Sequence, residues 1–284
     1  MISKIICPKC GGYTKTYGTQ LNKSGERVQR YKCKKCSHHF TKLKHICEYC
    51  GDEISDGQEY GRHVLNCKRK HTNHSIDLTE KQKQLIYGSM MGDMYMSYAS
   101  KKDSKLPLID VMHGIEQRAY VMWKYDILKN IVKNEPKESK IYSKRYDKYY
   151  DRIRFYTMSL ASLIPMYDIT HREGKRYISR EWLSNVNNPI SITAWYLDDG
   201  NYYHGGRANT VFFSLGKVTE EEASHIDDFM CNTLGINGNI RTDAWQTKYY
   251  IGKKEEISKL MDVVSPIISN EIPSMKYKLH YLLR

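Results

Sequence analysis

Apolar and polar positions along this chain switch between helical and strand spacing in the same order twice. From Leu78 the pattern predicts a helix capped by Asp77 or Thr79, strands near 94–100 and 108–113, and an amphipathic helix over 116–132. Strands near 140–145 and 150–157 and a short helix near 159–168 complete the first round. The second opens with a helix from about Ser191, just after Pro189, and continues with strands near 201–204 and 209–215. A helix from Glu220 to Leu234 follows, capped by Thr219 and ended by Gly235, then strands near 238–243 and 247–252 and a helix near 254–264. The order is helix–strand–strand–helix–strand–strand–helix in each half.

The opening helix of each round carries the candidate chemistry. One reads Leu85-Ile-Tyr-Gly-Ser-Met-Met-Gly-Asp93 and the other Ile192-Thr-Ala-Trp-Tyr-Leu-Asp-Asp199-Gly200. Gly88, Gly92 and Ala194 are small enough to let two such helices meet almost backbone to backbone. Packed that way, the helices bring Asp93 and Asp199 together at their ends. A helix C-terminus is already negative, so two converging carboxylates repel unless a cation lies between them. The pattern therefore predicts a divalent-metal site. Asp198, next to Asp199, is read as a helix-end surface acid ahead of a third ligand.

Composition adds a partner class. The 284 residues carry a formal charge of +13, and the first 78 hold 15 Lys/Arg against 7 Asp/Glu. That balance favours a polyanion, nucleic acid or an acidic surface. Many of the 24 tyrosines lie among basic residues, as in Lys144-Arg-Tyr-Asp-Lys-Tyr-Tyr150, a composition suited to a sheet laid on a phosphate backbone. No apolar run reaches about 18 residues, and the N-terminal apolar stretch is too short for a signal peptide, so no membrane partner is expected.

Seven of the eight cysteines fall in the first 67 residues. Cys7-Pro-Lys-Cys10 and Cys33-Lys-Lys-Cys36 have the spacing of a zinc ribbon over residues 1–44. Cys47, Cys50, His63 and Cys67 have a zinc-finger spacing over 45–70, with His63 and Cys67 on one helical face. Iron–sulfur ligation and redox-active dithiols are the alternatives. Each segment is poor in apolar residues, and a structural zinc site supplies about 10–16 kcal/mol of folding free energy. Thiolates at ligand spacing point to a reducing, intracellular setting, a bacterial or phage-infected cytoplasm ahead of an organelle. Residues 71–78 read as a basic linker, followed by halves over 79–188 and 189–284.

The duplicated body resembles the LAGLIDADG homing endonucleases in their monomeric, two-motif form. Gly-Ser-Met-Met-Gly-Asp93 and Ala-Trp-Tyr-Leu-Asp-Asp199-Gly200 stand where that family has its signatures. Tyr120-Val-Met-Trp-Lys-Tyr, Arg180-Glu-Trp-Leu and Ile272-Pro-Ser-Met-Lys-Tyr-Lys278 carry the likeness further, and Met94 departs from the usual glycine. The resemblance implies an α+β, pseudo-symmetric saddle of two four-stranded antiparallel sheets over double-stranded DNA. It implies Mg²⁺, or another divalent cation in its place, held by Asp93 and Asp199, with the Gly92 carbonyl and Asp198 as further ligands, beside two structural Zn²⁺. It also implies a basic residue at each centre: Lys276 or Lys278 for one, and Lys175, Arg176 or Arg180, with Arg180 preferred, for the other. Arg145, Arg152, Arg154, Arg207, Arg241 and Lys248 are the expected DNA contacts. The implied activity is Mg-dependent, staggered double-strand cleavage of a long asymmetric site. An intron maturase binding its own RNA, or a non-cleaving DNA-binding regulator, would share the saddle.

Overall fold

The computed structural model describes residues 5–7, 9–21, 25, 27–41, 45–46, 53–54, 61–64, 76–98, 106–144, 146–204 and 209–282. The chain divides into two compact units, Met1–His74 and Ser75–Arg284.

In the first unit, β1 (Thr14–Leu21), β2 (Arg27–Cys33) and β3 (His39–Thr41) form an antiparallel sheet in that order. Its core is Cys7, Cys33 and Phe40, with Ile5, Cys10 and Tyr31 packed on them. So small an apolar cluster cannot offset the conformational entropy of the sheet by itself. Two short strands, β4 (His45–Ile46) and β5 (Glu53–Ile54), pair beyond it. Of the second cysteine set, Cys47, Cys50 and Cys67 lie outside the described residues.

The second unit is the same helix–sheet arrangement built twice. The first half contains α1 (Glu80–Met90), β6 (Tyr95–Tyr98), β7 (Pro107–Gly114), α2 (Arg118–Leu128), β8 (Lys137–Ser143) and β9 (Lys148–Tyr156). It continues through α3 (Ile164–Thr170), β10 (His171–Arg172), β11 (Lys175–Arg176) and α4 (Arg180–Ser184). The second half contains α5 (Pro189–Asp199), β12 (Gly200–His204), β13 (Asn209–Gly216), α6 (Glu220–Asp228), β14 (Asn239–Thr242), β15 (Thr247–Ile251) and α7 (Lys254–Glu271). Each half has a four-stranded antiparallel sheet, ordered β6-β7-β9-β8 and β12-β13-β15-β14.

Each sheet sets one face against helices. Ile109, Val111, Ile153 and Phe155 are buried on one sheet and Val211, Phe213, Tyr249 and Ile251 on the other, while the alternate residues face away, as the two-residue strand period requires. Residues 82 and 84–90 of α1 and 191–197 of α5 are buried, because the two helices pack on each other, α1 also against α2, and α5 also against α7 and the second sheet. Thr79, not Asp77, caps α1, in a reciprocal pair with Gln82.

Two helix ends differ from expectation. Regular α6 stops at Asp228 and continues as a π-turn over Phe229–Thr233. Helix α7 runs to Glu271 through Pro266, keeping Val264 and Ile268 in the core, where the sequence pattern stopped it near 264.

Candidate catalytic seam

Helices α1 and α5 meet where their side chains vanish. A Cβ on Gly88 would lie 2.0 Å from the Ser191 carbonyl oxygen, and one on Gly92 would lie 2.3 Å from the Asp198 Cβ. Both values are inside van der Waals contact, so only glycine permits this approach. Two aromatic side chains anchor the seam from outside. The Tyr120 hydroxyl donates to the Ala194 carbonyl at 3.1 Å, and Trp182 Nε1 donates to the Tyr87 carbonyl at 3.2 Å.

Asp93 and Asp199 close the two helices at the same end of this seam. Burial and then the Asp93 charge push Asp199 up to about 7, and burial and then Asp198 push Asp93 above the usual carboxylate range. Two cations oppose them. Lys278 Nζ donates to the Leu197 and Gly200 carbonyls at 2.7 and 2.9 Å, across the end of α5. Arg176 donates to the Met90 and Gly92 carbonyls at 3.3 and 3.1 Å, across the end of α1. These positions correspond: Arg176 lies 62 residues beyond Gly114, the last residue of β7, and Lys278 lies 62 beyond Gly216, the last residue of β13. Both cations meet carbonyls that the helix leaves unsatisfied, at its negative pole. Burial pulls the Lys278 pKa down, and the three aspartates act against that.

Several expected residues sit elsewhere. Arg180 is the first residue of α4 and pairs with Asp228 at 2.6 Å on an exposed face, so Arg176 takes the place expected for it. The preference for Arg180 missed the turn that delivers Arg176. His171-Arg172 and Lys175-Arg176 form a hairpin closed by Glu173 and Gly174, both at positive φ, and a two-residue loop ending in glycine is the available sequence signal. Lys276 is exposed, whereas Lys278 is half-buried beneath α5. The Gly92 carbonyl accepts from Arg176.

Asp198 is not a surface acid. Its side chain is fully buried, because it occupies the seam position that Gly92 holds on the opposite helix. It accepts from Lys124 Nζ at 2.9 and 3.0 Å and from the Asp93 N–H at 3.4 Å. His113 lies between the two acids, with Nδ1 3.7 Å from Asp93 Oδ2 and Nε2 3.8 Å from Asp198 Oδ1. Burial, with Lys124 nearby, lowers the His113 pKa to about 4, so the imidazole is neutral. Lys124 and His113 were not foreseen. One basic residue in an otherwise apolar stripe of α2, and one histidine on the core face of β7, were the signals.

The expected DNA contacts share the sheet faces turned away from the helices. Arg152 donates to Ser139 Oγ at 3.1 Å and contacts Met112 Sδ. Arg154 forms a two-point pair with Asp110 and stacks on Tyr156. In the second half, Arg241 lies over Tyr250 and Lys248 over Phe212. These four residues present basic groups on aromatic and polar strand faces. Arg145 and Arg207 lie outside the described residues.

In the first unit, Cys7, Cys10, Cys33 and Cys36 form one four-thiol group, with Sγ–Sγ separations of 3.3, 3.5 and 3.7 Å among them. Four thiolates converging from two knuckles fit zinc. Backbone N–H groups of the second knuckle point at Cys33 Sγ and hold that thiol down at about 6. Among the described residues no helix is long and apolar enough to cross a membrane.

Comparison with known proteins places this geometry. Residues 83–260 match the profile of the LAGLIDADG DNA endonuclease family. Among curated proteins, the chain is 25% identical over 212 residues to Protein RecA of Mycobacterium gastri, covering 71% of this chain and 48% of that one. It is 24% identical over 221 residues to Protein RecA of Mycobacterium leprae (strain TN), covering 71% and 28%. The chain thus spans about half or less of the length of these relatives. Among solved structures, the homing endonuclease I-WcaI bound to its DNA recognition sequence is similar in fold, with TM-score 0.65 at 17% identity over 76% of this chain and 92% of that one. The chain is a member of the LAGLIDADG DNA endonuclease family.

Proposed function

We propose that this protein is a monomeric, site-specific homing endonuclease. It makes an Mg-dependent, staggered double-strand break in a long asymmetric DNA site. The observation that carries the reading is the paired helix end. Asp93 and Asp199 close two helices in glycine-to-backbone contact, and each helix end is crossed by its own cation, Arg176 or Lys278. Carboxylate and carbonyl oxygens are the donors that Mg²⁺ prefers. When bound there, Mg²⁺ would act as a Lewis acid on the phosphodiester and lower the pKa of the attacking water.

The chain's own residues do the rest. Asp93 and Asp199, one contributed by each half, would hold the ions. Arg176 and Lys278 hold the helix-end carbonyls and place positive charge where phosphoryl charge develops. The outward sheet faces position the duplex, with Arg152, Arg154, Arg241 and Lys248 as phosphate or base contacts. The first unit adds zinc-ordered basic surface. The Cys47, Cys50, His63 and Cys67 set would bind a second zinc, and thiolate ligation suits a reducing intracellular setting, the cytoplasm of a bacterium or phage-infected cell.

The test is selection of cleaved duplexes from a randomised pool with Mg²⁺, followed by the Asp93→Asn and Asp199→Asn variants on the recovered site. Each variant should bind the site and either nick one strand or cut neither. Double-strand cutting at the wild-type rate by either variant refutes the assignment. Binding of the intron's own RNA without cleavage of any duplex would instead indicate a maturase. Duplex binding without cleavage would indicate a regulator.

A further inference from the structure

Lys124 sits inside a cluster of donor atoms that suits a metal ion. Its side chain has no exposed surface. Its Nζ lies 2.9 and 3.0 Å from the Asp198 oxygens and 3.3 Å from His113 Nε2, and 4.4 Å from the centre of the Tyr120 ring. Asp93, His113 and Asp198 form a donor group whose three ligand atoms lie within 4.8 Å of one another, and Lys124 Nζ is bonded to two of its members, Asp198 and His113. His113 is oriented for the role. Its Nδ1–H donates to Gln117 Oε1 at 2.9 Å, which leaves the Nε2 lone pair facing Lys124. Two carboxylates and a neutral imidazole are a good donor set for Mn²⁺, Fe²⁺, Co²⁺ and Zn²⁺.

We propose that Lys124 is a resident cation that fills this three-donor site, keeping transition metals out and confining divalent-ion binding to Asp93 and Asp199. The inference rests on the reading that those two residues hold Mg²⁺. It makes Lys124 a positioning residue, acting through Asp198 and His113.

The second half argues that the charged set is not needed for packing. Helices α2 and α6 each begin four residues beyond the last residue of β7 and β13, Gly114 and Gly216. That alignment sets His113 against Leu215 and Lys124 against Ile226, both buried in the core. Gly92 stands where the other helix has Asp198. One of the two pseudo-symmetric places is therefore filled by Gly92, Leu215 and Ile226, and the other by Asp198, His113 and Lys124, each set drawn from both halves. A buried ion pair is commonly no more stable than apolar residues of the same volume, so stability gives no reason for the charged set. Metal selectivity does. An imidazole beside the catalytic carboxylates would draw a transition metal in preference to Mg²⁺, and an ammonium already bonded to Asp198 and His113 prevents it.

The test uses full-length, zinc-loaded protein with Mn²⁺ as the probe, read by electron paramagnetic resonance and its ¹⁴N modulation. Wild-type protein should bind Mn²⁺ with no directly coordinated histidine nitrogen. Lys124→Met should bind one additional Mn²⁺ per chain and show histidine-nitrogen coupling, and adding His113→Leu should abolish both. Lys124→Gln, which keeps a hydrogen-bonding tip toward Asp198, is the second variant should Lys124→Met fail to fold. Coupling in the wild type, or its absence from a folded Lys124 variant, overturns the proposal. Failure of the nuclease reading looks different: Asp199→Asn would then leave Mn²⁺ binding unchanged, while the gain in the Lys124 variants would still be seen.

Discussion

Asp199 holds a carboxyl whose ordinary pKa is near 4 at about 7, with burial the first cause and Asp93 the second. The metal-free folded state therefore binds more protons than the unfolded chain between roughly pH 4 and 7. Where that holds, stability falls as pH rises, so the metal-free protein loses stability through this window. As a ligand in the proposed site, Asp199 would bind Mg²⁺ in competition with the same proton. The thermal stabilisation given by a fixed Mg²⁺ concentration should accordingly grow between about pH 6 and 8. Melting curves with and without Mg²⁺ across that range check it, and an increment independent of pH would count against Asp199 as a ligand. Asp199→Asn removes the unfavourable buried charge, so without metal at pH 8 it should melt above the wild type. Its melting temperature should no longer respond to Mg²⁺ at that centre. Asp198 has Lys124 against both oxygens, whereas the cations that act on Asp199 are Arg176 and Lys278.

At the scale of elements, the seam between α1 and α5 is the rigid part of the site. On an exposed helix Gly→Ala would gain about 1 kcal/mol from propensity. At Gly88 the new methyl would meet the Ser191 backbone, which cannot swing aside as a side chain can. Gly88→Ala should therefore destabilise the protein by about 1–3 kcal/mol or more, read as a lower urea midpoint. Gly252→Ala, where a Cβ meets nothing within 4 Å, is the control and should stay within about 0.5 kcal/mol of wild type. The β10–β11 hairpin is the second critical element, because its turn carries Arg176 to the helix end. Gly174 has φ +74°, a conformation that costs a side chain. Gly174→Val should loosen Arg176 and slow cleavage more than it lowers the melting temperature, measured on one recovered duplex.

At the scale of the whole molecule, the proposed function gives the two units different metals for different reasons. Among the described residues the first unit's buried core is Cys7, Cys33 and Phe40, two of them members of the four-thiol group, so its fold depends on the ion. Stripping zinc with a chelator should abolish the structure of the first unit and leave the second unit's melting transition in place. Disappearance of both transitions together would show the units to be interdependent. Cys33→Ser should reproduce the chelator's effect and lower DNA affinity, with the log–log salt slope falling by about 0.9 for each phosphate the protein no longer neutralises. The amino-acid order by itself determined the duplication, the order of helices and strands in each half, the four-cysteine group and the pairing of two helices with small residues, Gly88 and Gly92 in one and Ala194 in the other, that lead to Asp93 and Asp199. Those features are written in local periods and fixed spacings, which need no knowledge of the partner. Tertiary structure alone decided which cation serves which helix end, and that Asp198 is buried against Lys124 and His113 instead of facing solvent. Those residues come from separate elements, 74 and 85 positions from Asp198 along the chain, and only packing sets which of many charged side chains meet.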